Sequence, residues 1–178
     1  MNTTIAIGVT AGLIVGLIIA VVLLKVANTD RKIKTEYDER QKVIRFKGYM
    51  YGFYTVLIFQ VVMVLIHISG MEMPIEDFAL DFTGVILGCI VVCAYCIWNG
   101  VYWGLNNDPK RYYVIFIICI VLNLIPIVVP AARGTLLENG KLGLPMLNVM
   151  VLIMMAVVLI TLAVKTIADK NKAGEEED

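Results

Sequence analysis

Long apolar runs alternate with short charged clusters along this chain. Uncharged residues extend from Ile5 to Leu24 before Lys25 interrupts them. Further runs cover 49–69, 82–105, 113–129 (closed by Pro130) and 144–164 (closed by Lys165). About 20 apolar residues carry a helix across the hydrocarbon core of a bilayer. In that medium each backbone N–H and C=O must bond within its own segment, so the runs predict α-helices. Strands of a barrel would alternate polar and apolar residues, and these runs do not. The pattern predicts an all-α integral membrane protein, a bundle of five transmembrane helices spanning 5–24, 49–69, 82–105, 113–129 and 144–164. The whole of 1–178 reads as a single membrane domain. A basic helical loop over 25–47 and a charged tail over 165–178 both belong on the cytoplasmic side.

Composition agrees. The chain is 60% hydrophobic and 17% charged, with a mean hydropathy of +0.83; soluble domains have about 45–50% apolar and about 25% charged residues. The net charge of zero hides a strong segregation. Thirteen of the fifteen Lys and Arg residues lie in 25–47, 106–112 and 165–178, which share one side of the membrane. Only Arg133 and Lys141 fall on the other, where the loop 70–81 is acidic (Glu72, Glu76, Asp77 and Asp81). The positive-inside rule then places the N-terminus outside and the C-terminus in the cytoplasm. Tyr49, Tyr51, Tyr54, Tyr102, Trp103, Tyr112 and Tyr113 gather near the predicted cytoplasmic interface, where amphipathic rings prefer to sit. Met1-Asn2-Thr3-Thr4 has no basic side chain, unlike the start of a signal peptide, so the first run is read as a retained span. The bilayer is the expected partner, with a second copy or another membrane protein beside it. Nothing basic enough for nucleic acid lies beyond the juxtamembrane loop.

Within that loop, residues 30–47 predict a helix running into the second span. Asp30 is its candidate N-cap, and Asp30/Lys34, Glu36/Arg40 and Asp38/Lys42 are acid-before-base pairs at four-residue spacing. The segment reads either as a docking helix for anionic lipid or a partner, or as a solvated extension that sets topology. Asp38-Glu39-Arg40-Gln41, followed by Lys47-Gly48-Tyr49-Met50-Tyr51-Gly52-Phe53, resembles a group of small multi-pass bacterial membrane proteins of unknown function. They carry an acidic-Arg-Gln signature just before a helix. The resemblance covers residues 36–60. It implies a small protein of the bacterial inner membrane and assigns no activity.

Gly8, Gly12 and Gly16 recur every four residues on the first span. Small residues at this spacing let helix backbones approach closely in lipid, within one chain or between two. Gly84/Gly88 and Gly100/Gly104 repeat the theme on the third span, which reads as the central helix. Cys89, Cys93 and Cys96 match the spacing of the iron–sulfur loop of radical S-adenosylmethionine enzymes. Here they lie inside an apolar helix, in a chain with no room for the barrel such enzymes need. Sharing one face, they could hold a soft metal, but buried free cysteines more often pack as small apolar groups. Cys119 lies apart from them in sequence, on the fourth span.

Polar groups at membrane depth are costly and so are candidates for function. Gln60, His67, Asn99, Asn123 and Asn148 qualify. His67 is expected to reach the acidic loop and pair with Glu72 or Glu76. Asn123 and Asn148 are expected to bridge helices, and Pro126 to kink the fourth span. The spans hold no carboxylate relay. The chain also lacks a Walker loop, an HExxH motif and a Ser/His/Asp set, so neither an enzyme nor a cofactor is expected. The reading that remains is an accessory or regulatory membrane protein that packs against a partner or itself. The alternative is a transport component, a substrate-binding subunit or permease-associated protein.

Overall fold

The computed structural model describes residues 3–138 and 140–175, without the side chains of 3–6, 8, 9, 13, 138 and 173–175. The apolar runs fold as helices: α1 (Thr3–Ala27), α2 (Glu39–Ser69), α3 (Asp77–Trp98), α4 (Pro109–Ala132) and α5 (Leu144–Glu175). A short hairpin of β1 (Leu137–Glu138) and β2 (Lys141–Leu142) precedes α5. All five helices are long and apolar enough to cross a membrane.

Helix ends depart from span ends where polar chemistry takes over. α2 starts at Glu39, ten residues before its apolar stretch, with Asp38 just outside and Glu39 in the first turn. Acidic residues suit the positive end of a helix dipole. α4 starts at Pro109, where the missing N–H costs nothing, and the Asp108 side chain accepts the Lys110 N–H at 3.0 Å. Its far end was expected at Pro130. The helix instead passes through both Pro126 and Pro130 to Ala132. Each proline removes one backbone bond, and a helix in lipid tolerates that better than unbonded loop backbone. Gly134, with φ +67°, then turns the chain out. α5 continues to Glu175, well past Lys165, which pairs with Asp169 one turn on at 2.6 Å.

Two further expectations fail. Residues 28–38 are not helical. Asp30 is therefore no N-cap, and the pairs within this segment do not stack on a helix face. The Asp30 carboxylate instead accepts the Lys32 N–H at 3.1 Å, a local turn that competes with helix formation. Second, α3 ends at Trp98, not 105. Gly100, at φ +68°, turns the chain just beyond it. Neither Gly100 nor Gly104 belongs to a helix face.

The chain forms two compact units, Met1–Asp38 with Trp103–Ile117 and Glu39–Tyr102 with Ile118–Asp178. The larger has an apolar core. α3 packs against α2 and α5. Met155, Val158 and Leu162 present one face of α5 to it. α4 buries no residue along its length. The smaller unit buries Ala27, Asn28 and Asn106, two of them amides. Along α1, Ile14, Leu17 and Ile18 are half or more exposed, as are Val114, Ile117 and Leu122 on α4. Such surfaces suit contact with acyl chains.

Candidate functional site

The glycines of the larger unit make its closest helix contact. A Cβ on Gly52 would sit 2.9 Å from the Gly88 carbonyl oxygen, and one on Gly88 would sit 3.0 Å from that of Gly52. Neither helix tolerates a side chain at this crossing. Gly84 makes room for the Phe59 ring, and Gly48 for Tyr95, 3.0 Å from where a Cβ would stand. Tyr95 in turn meets Tyr51 edge-on at 5.2 Å. Gly48 and Gly52 escaped sequence reasoning. Their four-residue spacing was the available signal, on the same terms as Gly84 and Gly88.

On α1 the same spacing has no such neighbour among the described residues. A Cβ on Gly12 or Gly16 would find no atom within 4 Å. Gly8 lies outside the residues whose side chains are described. Gly104, read as a helix-packing residue, lies in a loop of the smaller unit, against Thr35, Glu36 and Tyr37.

That unit is built around three asparagines. The Asn28 amide donates to the Lys32 carbonyl at 2.7 Å. Asn107 donates to Asn28 Oδ1 at 2.7 Å and accepts the Gly104 N–H at 2.7 Å. Asn106 accepts the Glu36 N–H at 2.8 Å and donates to the Lys34 carbonyl and to Asp30. Backbone bonds join the same strands: Thr29 N–H to Asn106 O at 2.8 Å, Leu105 N–H to Glu36 O at 2.8 Å, Asp108 N–H to Ala27 O at 3.1 Å. Arg111 Nη1 donates to the Val26 and Asn28 carbonyls, covering the C-terminal end of α1. Residues 28–37 and 104–108 thus form one knot, tied by local bonds and by bonds that span about seventy residues or more of sequence. The Asn106-Asn107-Asp108-Pro109 run announces a turn, but not the amide partners so far away. The Lys32 N–H and the Asn106 amide hold the Asp30 carboxyl below the ordinary range, with nearby Lys32 acting in the same sense and burial against it.

The candidate polar residues do not converge. Gln60 Nε2 donates to the Asp81 carbonyl of α3 at 3.3 Å. His67 Nε2 lies 3.6 Å from Asp77, not from Glu72 or Glu76, because Asp77 opens α3 beside it. Asn99 caps α3 and bonds back to Tyr95. Asn123 and Asn148 donate to Cys119 and Leu144 one turn earlier on their own helices. Neither bridges helices, since an i−4 carbonyl lies within easier reach. The cysteines differ in setting: Cys89 is exposed, Cys93 and Cys119 half-buried, Cys96 buried. Among the described residues no three His, Cys, Asp or Glu side chains stand close enough to hold a metal.

Arg45 is a further anchor that the sequence did not single out. It donates to the Val101 and Tyr102 carbonyls at 3.0 and 3.3 Å and to the Tyr49 hydroxyl at 2.9 Å. Comparison with family models, curated proteins and solved structures finds no match for this chain.

Proposed function

We propose that the chain is an accessory or regulatory protein of the bacterial inner membrane, acting by helix packing with a membrane partner or a second copy. The carrying observation is the open face of α1. Among the described residues no atom lies within 4 Å of a Cβ built on Gly12 or Gly16, while Gly52 and Gly88 are packed too closely to admit one. The absence of charge from Phe82 to Trp98 and from Tyr113 to Ala132 argues against carrier or protease chemistry. The segregated Lys and Arg residues support an outside N-terminus and a cytoplasmic C-terminus. The Asp38-Glu39-Arg40-Gln41 resemblance supports the bacterial setting.

The test is cross-linking and co-purification of the full chain from membranes. A dimer or a defined membrane partner is expected, lost in the Gly12→Ile/Gly16→Ile variant while insertion persists. A monomer without partner, or a complex indifferent to the variant, would overturn the reading. Orientation is tested separately: an impermeant thiol reagent should label Glu72→Cys but not Arg31→Cys in a background free of native cysteines.

One observation favours the alternative, a transport component. A cavity of about 450 Å³ at the α4–α5 junction is lined by Pro126, Pro130, Leu136, Pro145 and Asn148, among others. Ligand pockets span about 300–1,000 Å³. Co-purification of an ATPase, or of a small molecule displaced by Asn148→Leu, would favour this second reading.

A further inference from the structure

The C-terminal end of α1 carries a cleft that the asparagine knot leaves open. It measures about 550 Å³ and is lined by Lys25, Val26, Arg31 and Arg111. Three cations converge there against one carboxylate, Asp108, whose Oδ2 lies 3.0 Å from Arg111 Nε. Arg111 is held in place by the two carbonyls it covers. The side chains of Lys25 and Arg31 have no ion pair or hydrogen bond among the described residues. Asp30, beside Arg31, is already committed to Lys32 and Asn106. The cleft therefore holds two uncompensated positive charges. Arg31 also adopts φ +55°, the one positive φ outside glycine among the described residues. That conformation is costly for a residue with a Cβ, and the surrounding knot maintains it.

An apolar strip leads to these charges. Ile18, Val22 and Val26 recur every four residues on α1 and are 60%, 53% and 53% exposed. Residues at this spacing share one helix face, and Val26 itself lines the cleft. The strip ends where the cations begin.

We propose that the cleft binds the phosphate group of an anionic phospholipid, with an acyl chain lying along Ile18, Val22 and Val26. Arg matches phosphate oxygens in a fork and Lys meets them as a point charge. A free phosphate offers the same anion chemistry, but only a lipid uses the strip. The inference rests on the membrane placement of α1. It holds for either orientation of the chain and does not depend on the accessory role.

Native mass spectrometry of the full chain in detergent tests it, with phosphatidylglycerol, phosphatidylcholine and inorganic phosphate as separate probes. Phosphatidylglycerol should be retained in preference to phosphatidylcholine, and millimolar phosphate should not displace it. Lys25→Gln/Arg31→Gln should weaken retention by roughly thirty-fold, the worth of two cations near an anionic surface. Lys170→Gln/Lys172→Gln, which removes the same charge from the end of α5, should change it less than about two-fold. Val22→Asn should weaken lipid retention with the charges intact. Equal losses in the two charge variants would reduce the effect to diffuse attraction and overturn the site. Displacement by phosphate, or indifference to Val22→Asn, would overturn the lipid as its occupant.

Discussion

Helices α1 and α3 both carry glycines at four-residue spacing, and their outcomes differ. On α3, Gly84 and Gly88 are consumed: Phe59 fills the space over one, and the Gly52 backbone lies against the other. On α1, Gly12 and Gly16 face open space. The spacing states that a helix can be approached closely. It does not state by what. In α3 the answer lies in the same chain, on α2, which presents its own small residues at Gly48 and Gly52. Among the described residues nothing lies within 4 Å of a Cβ on Gly12 or Gly16, and that contrast underlies the proposed function.

The comparison breaks most visibly at Gly88. Gly88→Leu would drive a side chain into Val56 and the Gly52 carbonyl, so the larger unit should lose about 3 kcal/mol or more, the upper end for overpacking. An unfolding titration in mixed micelles would read this, and an unchanged midpoint would mean that the α2–α3 contact is not close.

Next in size is Asn106→Ala in the smaller unit. It strands the Glu36 N–H and the Lys34 carbonyl, at a cost of about 1–3 kcal/mol. Hydrogen exchange over 28–38 should accelerate while α2 and α3 keep their protection. Loss of protection in both would show that the knot does not act locally.

Gly12→Leu/Gly16→Leu sharpens the contrast by its small effect. The same chemical change that damages α3 should shift the stability of the isolated monomer by no more than about 0.5 kcal/mol. A shift as large as that of Gly88→Leu would reveal an internal contact on α1.

The smallest effect is a pH response at Asp30. Its carboxyl is held below the ordinary value, chiefly by the Lys32 N–H. The ionised form is therefore the one the fold favours. Its contribution is full above about pH 4 and is lost as pH falls through the lowered folded-state value. Protection over 28–38, corrected for the intrinsic exchange rate at each pH, should stay flat above about pH 4.5 and fall modestly below it, and Asp30→Asn should flatten that fall.

Much of the architecture was legible in the residues. Five uncharged runs became five helices because lipid leaves the backbone no other partner. Within the larger unit, the packing of α3 between α2 and α5 was legible from Gly84 and Gly88, though not from Gly100 or Gly104, which lie beyond the helix. The errors fall where polar groups choose among partners. The loop 28–38 reads as helix from its acid–base spacing, yet its backbone is claimed by Asn106 and Leu105, far along the chain. Pro130 reads as a stop, yet α4 passes through it. Asn123 and Asn148 read as bridges, yet each finds its own helix first.

Hydrophobicity and length alone mark out five segments that can cross a membrane, and residue order alone shows where the charge lies. Those are properties of single segments in a solvent, readable from hydrophobicity and length. Only the tertiary structure decided which glycines are filled, which amides tie the end of α1 to the start of α4, and which cations gather around a cleft. Those depend on contacts between segments far apart in sequence, and a small residue or an amide carries no mark of the partner it will meet.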